Sequence, residues 1–579
     1  MRLSSLSKSM SVLNVNVGVL GHVDCGKTSL AKALSMIAST SAFDKNPQSK
    51  KRGITLDLGF SSFTVDLTAI PLRSSFQQGY KQVQFTLVDC PGHGSLIRTV
   101  LCGSQIIDVM LLVVDISKGF QTQTAECLII GEITCDQMIV VLNKSDLLKE
   151  DVRASQIDKM RKRISKTLEQ TKFRGAPIAV VSAAPGGNQV DFKPDAQHPP
   201  NEDLQNLITL LIQTVTDPTE RRERVRQRGF LFAADHCFTV TGQGTVMTGT
   251  VLAGSIRVGE TIELPRQRLQ RKIKSIQMFR QPVDSIGPGD RAGICVPQLD
   301  PSLLERGLVG APGDSLQTCH ACVLGAVRKI PYFKNPVLSK SRFHIFIGQE
   351  TVLAELTFFG LPAEQWSATS SEVALDLKQN YMYLSELPSE PQDQVWVLVE
   401  FERPVVCYTG AAVIGARLDS TSATACRLAF HGKVQMQVSD PNYKQTVLPQ
   451  LCVYRCKNRR GQIDRVMDSR TCVVRGLFKR ETNWDIFVGL RAHVEQDAPG
   501  DGDSGEPRRL CTGRIESSFG QSGKCRLVLD DDLPEAVVQC FARKSGKKAE
   551  IPSDTSRCNF CVVLEFKRFL FDPKRRLVQ

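Results

Sequence analysis

A glycine-rich loop near the start of the chain carries the side chains best suited to phosphate chemistry. Gly21 and Gly26 let the backbone curl so that successive N–H groups point into one concavity. Lys27 can reach the outer phosphates of a nucleotide, and the Thr28 hydroxyl can bind magnesium. An apolar run precedes the loop and a helical pattern follows it. This order of strand, GxxxxGK[ST] and helix predicts a phosphate-binding loop.

Two further motifs could complete a magnesium and γ-phosphate site. Asp89 opens D-C-P-G-H directly after an apolar run and can hold magnesium through a water, while the Gly92 N–H can reach a γ-phosphate. Thr55, the last residue of R-G-I-T, could supply another hydroxyl to Mg²⁺, whose octahedral shell is shared among protein oxygens, phosphates and waters. The predicted metal ligands are therefore Thr28, Thr55 and Asp89.

Two motifs near residues 143–146 and 182–183 could read the base. Asp146 of N-K-S-D can accept two hydrogen bonds from a guanine edge, and Asn143 can hold the loop and the ring. Because adenine lacks the matching donors, a buried unpaired carboxylate would discriminate against it by roughly 10⁴. The sequence thus predicts a GTP site with Mg²⁺. The predicted GTP-binding residues are Asp24, Cys25, Gly26, Lys27, Thr28, Ser29, Gly92, Asn143, Lys144, Asp146, Ser182 and Ala183. The Cys25 thiol is predicted to be inert packing or, alternatively, acidified by the helix end.

The elements that must position these motifs alternate between strand and helix as far as residue 218. Such alternation predicts βαβ units and a mostly parallel sheet covered on both faces, with ligands at the carboxyl ends of the strands. Short strands separated by glycine-rich turns then predict β-barrels. The predicted fold is an α/β P-loop GTPase domain followed by three β-barrel domains. The predicted boundaries are 1–217, 218–318, 319–435 and 436–579, with a charged linker at 218–228 and an irregular insertion at 362–393.

Charge and composition restrict the partners. The 579 residues carry a formal net charge of +13, and residues 439–579 hold 26 Lys and Arg against 19 Asp and Glu. This basic excess favours nucleic acid over a merely solvated face. No run of 18 apolar residues occurs, so no membrane partner is expected. The odd count of nineteen cysteines predicts reduced thiols in the cytoplasm, with a nuclear pool left open. A zinc site shared by the distant pairs Cys319/Cys322 and Cys558/Cys561 is disfavoured.

The combination of R-G-I-T, D-C-P-G-H and N-K-x-D resembles the translational GTPases of the elongation factor Tu family. G-x-G-T-V-x-T-G at 242–249 resembles the second domain of that family, and the C-terminal extension resembles the fourth domain of the eukaryotic selenocysteine-specific elongation factors. The resemblance implies that His93 positions the water that attacks the γ-phosphate, as the one catalytic side chain. It also implies a hydrophobic gate around that histidine at Val23 and Ile54.

The resemblance further implies an aminoacyl pocket in the second domain. General factors carry a neutral Asn in the turn that aligns with residues 287–293, where this chain has Arg291. Asp235 and His236 lie where the other wall of the pocket is expected. Arg and His suit an anionic side chain, and the acidic selenol of selenocysteine is ionised near neutrality. The alternative is that Arg291 is a surface cation on a barrel turn.

The implied partners are selenocysteinyl-tRNA, the ribosome and a factor that binds the RNA hairpin of selenoprotein messages. The implied activity is hydrolysis of GTP, triggered on the ribosome at a recoded UGA codon. Two other functions stay open. A general or initiation-type carrier predicts binding to many aminoacyl-tRNAs and no need for Arg291. A regulatory GTPase that uses its barrels for protein binding predicts no tRNA affinity.

Overall fold

The computed structural model describes residues 12–35, 59–67, 80–90, 106–183, 202–278, 281–304, 306–313, 315–362, 373–390, 394–418, 426–483, 485–496, 508–520, 523–541, 560–572 and 577–579. These residues belong to two compact units. The first unit takes in residues 1–358, 370–374 and 385–441, and the second takes in 359–369, 375–384 and 442–579.

The first unit begins with a six-stranded sheet in the order β2-β3-β1-β4-β5-β6, in which only β2 runs antiparallel to its neighbour. Its strands are β1 (Val12–Gly21), β2 (Gly59–Asp66), β3 (Gln82–Asp89), β4 (Val109–Asp115), β5 (Gln137–Asn143) and β6 (Ile178–Val180). Its helices are α1 (Lys27–Ser35), α2 (Thr122–Thr134), α3 (Glu150–Leu168) and α4 (Glu202–Thr214). Every residue of β4 is buried, as a parallel strand covered on both faces requires.

Residues 218–228, predicted as a linker, contain helix α5 (Thr219–Arg226). Arg222 is buried in spite of its charge and donates to Asp108, 2.7 Å away, and Arg221 contacts the same carboxylate. Because Asp108 lies just before β4, these contacts fix the helix to the base of the sheet. The two guanidinium groups compensate the charge of the buried Asp108 carboxylate. A solvated linker would not make these contacts.

An antiparallel sheet follows in the first unit, in the order β11-β10-β16-β7-β8-β15-β12-β13, with a separate pair of β9 and β14. The strands are β7 (Leu231–Val240), β8 (Gly244–Ala253), β9 (Ile256–Arg257), β10 (Thr261–Leu264), β11 (Leu269–Lys272), β12 (Ser275–Met278), β13 (Gln281–Val283), β14 (Ser285–Ile286), β15 (Arg291–Val296) and β16 (Gly307–Gly310). The sheet encloses its own apolar cluster, which includes Phe232, Met247 and Ile294.

A closed barrel completes the first unit. Its six strands pair in the cycle β18-β22-β23-β17-β21-β19-β18, so no edge strand is left in it. The strands are β17 (Leu316–Lys329), β18 (Arg342–Ile347), β19 (Glu350–Gly360), β21 (Val395–Tyr408), β22 (Ala412–Ala416) and β23 (Leu428–Val438). Strand β20 (Tyr381–Leu384), which intervenes in the chain, belongs to the second unit and lies in the region predicted as irregular.

The second unit is built on another closed cycle of six strands, β24-β25-β28-β27-β26-β29-β24, with β20 beside β24 and β30 beside β29. Its strands are β24 (Val453–Asp468), β25 (Thr471–Arg475), β26 (Arg491–Gln496), β27 (Arg508–Phe519), β28 (Lys524–Leu529), β29 (Phe560–Phe569) and β30 (Leu577–Val578). Two short helices, α6 (Tyr443–Thr446) and α7 (Glu535–Phe541), belong to the same unit.

The predicted fold class is confirmed: a GTPase domain with a mostly parallel sheet is followed by β-rich domains that include closed barrels. The domain boundaries stay predictions. Within the described part of the chain, no helix is long and apolar enough to cross a membrane. Across the same residues, no three His, Cys, Asp or Glu side chains are grouped as a metal site, and Cys558 lies outside them.

Candidate functional site

The phosphate loop curls between the end of β1 at Gly21 and the start of α1 at Lys27. Gly26 has a φ of +90°, and a Cβ there would lie 2.2 Å from Nδ2 of Asn143, so only glycine fits. Asp24 also has a positive φ, of 58°. The buried Lys27 ammonium donates to the carbonyl of His22 at 2.7 Å, across the mouth of the loop. This places a cation and curled backbone where phosphate is expected.

Thr28 and Asp89 meet at the predicted metal site. The Thr28 hydroxyl donates to Oδ2 of Asp89 at 2.7 Å, and Asp89 is the last, buried residue of β3. A hydroxyl and a carboxylate held together beside the phosphate loop fit the hard oxygen ligands that Mg²⁺ prefers. Thr55, Gly92 and His93 lie outside the described residues, as does Ile54 of the predicted gate.

Asn143 ties the phosphate loop to the guanine loops. Its Nδ2 donates to the Cys25 carbonyl at 2.9 Å, and its Oδ1 accepts from the Ala183 N–H at 3.1 Å. The Ser182 hydroxyl donates to Oδ1 of Asp146 at 2.6 Å. The structure therefore brings N-K-S-D and V-V-S-A-A together, although they are about forty residues apart in the chain.

Lys144 has a partner that the motif did not reveal. Its ammonium lies 2.9 Å from Oδ2 of Asp115, the last residue of β4, and its φ is 66°. Burial would raise the pKa of Asp115, but hydrogen bonds from Ser117 and Lys144 outweigh it, so that the pKa is lowered. In the sequence, the only indication of a role for Asp115 is its position at the end of an apolar strand.

The remaining residues of the loop are placed simply. The Cys25 side chain is buried, and burial raises the pKa of its thiol, so the helix end does not acidify it. Inert packing is the interpretation that fits. Ser29 is the third residue of α1. Val23 lies at the start of the loop and its N–H donates to Oε1 of Gln123 at 3.3 Å.

Asp235 and Arg291 form a buried ion pair in the second domain. Arg291 Nη1 lies 2.5 Å from Oδ2 of Asp235, with side chains only 11% and 6% exposed. The other carboxylate oxygen accepts from the Thr248 hydroxyl at 2.8 Å. Asp235 lies at a register shift between β7 and β8, where a bulge can change the direction of a side chain. Arg291 is therefore not a surface cation. The half-buried His236 lies opposite Thr248 in the same ladder.

An aromatic ring from the GTPase domain covers the Arg291 guanidinium. The guanidinium carbon lies 3.2 Å from the ring centroid of Phe60, on β2. This is well within the distance at which a cation is attracted to a π face. Nothing in the sequence pattern singled out Phe60, because the contact joins residues 231 positions apart.

Comparisons with known families agree with this geometry along most of the chain. Residues 13–217 match the elongation factor Tu GTP-binding domain, and residues 244–309 match elongation factor Tu domain 2. Residues 324–432 match the third domain of eukaryotic selenocysteine-specific elongation factors, and residues 449–575 match the C-terminal RIFT domain of eEFSec.

Full-length relatives decide the family. The selenocysteine-specific elongation factor of Mus musculus is 45% identical, over 98% of this chain and 99% of the relative. The chain belongs to the selenocysteine-specific elongation factors. The factor of that name from Methanocaldococcus jannaschii is 30% identical, over 93% of this elongation factor and 99% of its own length.

Solved structures match the fold of this elongation factor. The translation elongation factor SelB from Methanococcus maripaludis, in complex with the GTP analogue GPPNHP, has a TM-score of 0.64 and 24% identity, covering 97% of this chain and 100% of its own. A bacterial selenocysteine-specific elongation factor has a TM-score of 0.53 and 18% identity, covering 76% of this chain and 61% of its own. The matched GTP-binding domain and the full-length relatives show that this elongation factor is a translational GTPase that binds GTP.

Proposed function

We propose that this GTPase binds selenocysteinyl-tRNA in its GTP state and delivers it to the ribosome at recoded UGA codons. The observation that carries the proposal is Arg291, a cation that is withheld from solvent in the second domain and faces the GTPase domain. Burying a charge costs free energy, so a buried cation is stable only where an anion pairs with it. Asp235 supplies one anion, and the ligand supplies the second.

The ion pair with Asp235 occupies only part of the Arg291 guanidinium. A guanidinium has five N–H donors in a planar fork, and the bond to Asp235 uses Nη1. Donors on the other edge can still serve a selenolate, with a charge-assisted bond about twice as strong as a neutral one. A neutral serine side chain would gain less, because its hydroxyl accepts a hydrogen bond without a negative charge. We therefore expect the pocket to favour an ionised selenol over a hydroxyl, with His236 as a further donor.

GTP hydrolysis at the nucleotide site would determine when the aminoacyl-tRNA is released. Lys27 and the loop N–H groups would hold the phosphates, and Thr28, Thr55 and Asp89 would hold Mg²⁺, which when bound neutralises phosphate charge. His93 would align the attacking water, and the Gly92 N–H would contact the γ-phosphate. Phosphoryl transfer depends mainly on positioning and charge stabilisation, so the isolated protein should hydrolyse GTP slowly, at ~10⁻⁴ to 10⁻³ s⁻¹.

The second unit would contact RNA or an RNA-bound factor. In the β24–β29 ladder, Arg455 lies opposite Arg568 and Cys456 opposite Lys567, and Lys457 and Arg568 are exposed. Cations concentrated on one antiparallel pair suit a phosphate backbone. We propose the long arms of the tRNA, or the factor that binds the hairpin of selenoprotein messages, as the partner. We place the protein in the cytoplasm and leave a nuclear pool open.

Protection of the aminoacyl ester tests the proposal. Selenocysteinyl-tRNA and seryl-tRNA on the same tRNA body are incubated with the full chain and a non-hydrolysable GTP analogue, and deacylation is followed. We expect protection of the selenocysteinyl ester to exceed that of the seryl ester, and to vanish with GDP. Equal protection of both esters would favour a general carrier. Protection of neither would favour a regulatory GTPase.

A variant separates the pocket from the GTPase site. Arg291→Asn should lower the preference for the selenocysteinyl ester while leaving the affinity for the GTP analogue unchanged. An unaltered preference would remove Arg291 from the pocket. The comparison uses one preparation of each tRNA, so that differences in the tRNA body cannot produce the effect.

A further inference from the structure

The contact between Phe60 and Arg291 connects the nucleotide-binding sheet with the aminoacyl pocket, which lie far apart in the sequence. Phe60 is only 9% exposed, and it lies on the second strand of the nucleotide-binding sheet. Arg291 is the first residue of β15 in the second domain. The guanidinium carbon lies over the ring, 3.2 Å from its centroid, while Asp235 accepts a hydrogen bond from Nη1. Two side chains, one from each domain, thus fix the orientation of a single cation.

The position of Phe60 is fixed in turn by the metal-site strand. Phe60 lies opposite Val88 in the β2–β3 ladder, and Gly59 lies opposite Asp89. Asp89 accepts the hydrogen bond from Thr28 in the phosphate loop. Paired β2 and β3 therefore connect the Thr28–Asp89 contact to Phe60.

The backbone just before Arg291 is attached to the same face of the sheet. Asn14 and Asn16 of β1 both donate to the carbonyl of Gly289, at 2.7 and 3.0 Å. Gly289 has a φ of +86°, and a Cβ there would lie 2.1 Å from the Arg222 guanidinium carbon. The turn at Gly289 is thus fixed to the GTPase domain. The contact with Phe60 then determines the orientation of the Arg291 side chain.

We propose that Phe60 is a positioning residue that makes recognition of the amino acid depend on the bound nucleotide, by holding the Arg291 guanidinium flat so that its free edge faces the ligand. This inference rests on the proposed function, because it needs a preference for an anionic aminoacyl side chain. By thermodynamic linkage, the amino acid must in return change the affinity for nucleotide by the same factor.

The test measures dissociation constants of selenocysteinyl-tRNA and seryl-tRNA, each with the non-hydrolysable GTP analogue and with GDP. The variants are Phe60→Leu, which removes the π face, and Phe60→Tyr, which keeps it. Phe63→Leu is the matched control: Phe63 lies on the same strand but packs with its ring tilted against Phe85, with 5.1 Å between ring centroids, in a different core cluster. Should Phe60→Leu fail to fold, Phe60→Met also removes the ring and supplies a flexible side chain of similar volume that adapts to the space left.

We expect Phe60→Leu to lower the selenocysteinyl preference in the GTP-analogue state by up to roughly 30-fold, the fold-change that corresponds to a desolvated cation–π contact. Phe60→Tyr should keep the preference, and Phe63→Leu should leave it unchanged. The gain in GTP-analogue affinity that selenocysteinyl-tRNA produces should fall by the same factor in Phe60→Leu. If Phe60→Leu matches Phe63→Leu in both ratios, the inference is wrong. If the wild type itself shows no preference, the proposed function fails first.

Discussion

Breaking the Asp235–Arg291 pair tests the structural basis of the pocket. Removing one partner of a buried ion pair costs ~3–5 kcal/mol, because the other charge stays buried without compensation. Here the cost should be lower, about 2–3 kcal/mol, since Arg291 keeps Phe60 and Asp235 keeps Thr248. We therefore expect Asp235→Asn and Arg291→Met each to destabilise the first unit by about this amount.

A double-mutant cycle isolates the pair itself. The double variant leaves no charge without a partner, so we expect it to cost about 3 kcal/mol rather than the sum, a coupling of ~2 kcal/mol. Thermal unfolding gives the global effect, and hydrogen exchange at the amides of β15 gives the local one. The exposed pair Glu220–Arg224, whose side chains are 84% and 72% exposed, is the control and should show a coupling of roughly 0–0.5 kcal/mol. A coupling near zero for Asp235 and Arg291 would refute the buried pair.

Four more predictions concern the nucleotide site, a domain contact and pH. Gly26→Ala should abolish GTP binding in an equilibrium titration, whereas Gly175→Ala, also at positive φ but with nothing within 4 Å of the new Cβ, should leave it unchanged. Asn143→Ala should weaken GTP by roughly tenfold or more, since it removes two buried hydrogen bonds. Arg427→Lys should destabilise the first unit measurably, because lysine cannot keep the bidentate contact, at 2.9 and 2.7 Å, with the glutamate on α2. Burial lowers the pKa of His431 to about 4, so the unfolded chain binds the extra proton between pH 6.5 and 4. Stability should fall as pH falls through that window, by about 2 kcal/mol at pH 5. His431→Gln should flatten that part of the profile of unfolding midpoint against pH, and an unchanged slope would contradict the pKa shift.

The predicted elements agree with the structure where a local pattern was sufficient. The predicted alternation of strand and helix as far as residue 218 is observed, and the apolar runs before the phosphate loop and before D-C-P-G-H form β1 and β3. The charged stretch at 218–228 has no apolar face, and its sequence therefore predicts a linker. It forms a helix because Arg221 and Arg222 make ion pairs with Asp108, which lies more than a hundred residues earlier in the chain. That compensation is a tertiary contact, and no local pattern shows it.

The sequence by itself determined the nucleotide site and the order of the domains. Glycines, hydroxyls and carboxylates at the ends of apolar strands can meet only at one edge of a parallel sheet, so their order in the chain was enough. Tertiary structure alone decided the state of Arg291. A residue on a barrel turn can be a solvated cation or a buried one, and the choice depends on what packs against it. Asp235 comes from a strand bulge and Phe60 from another domain, and only the folded chain brings these two residues to the same guanidinium.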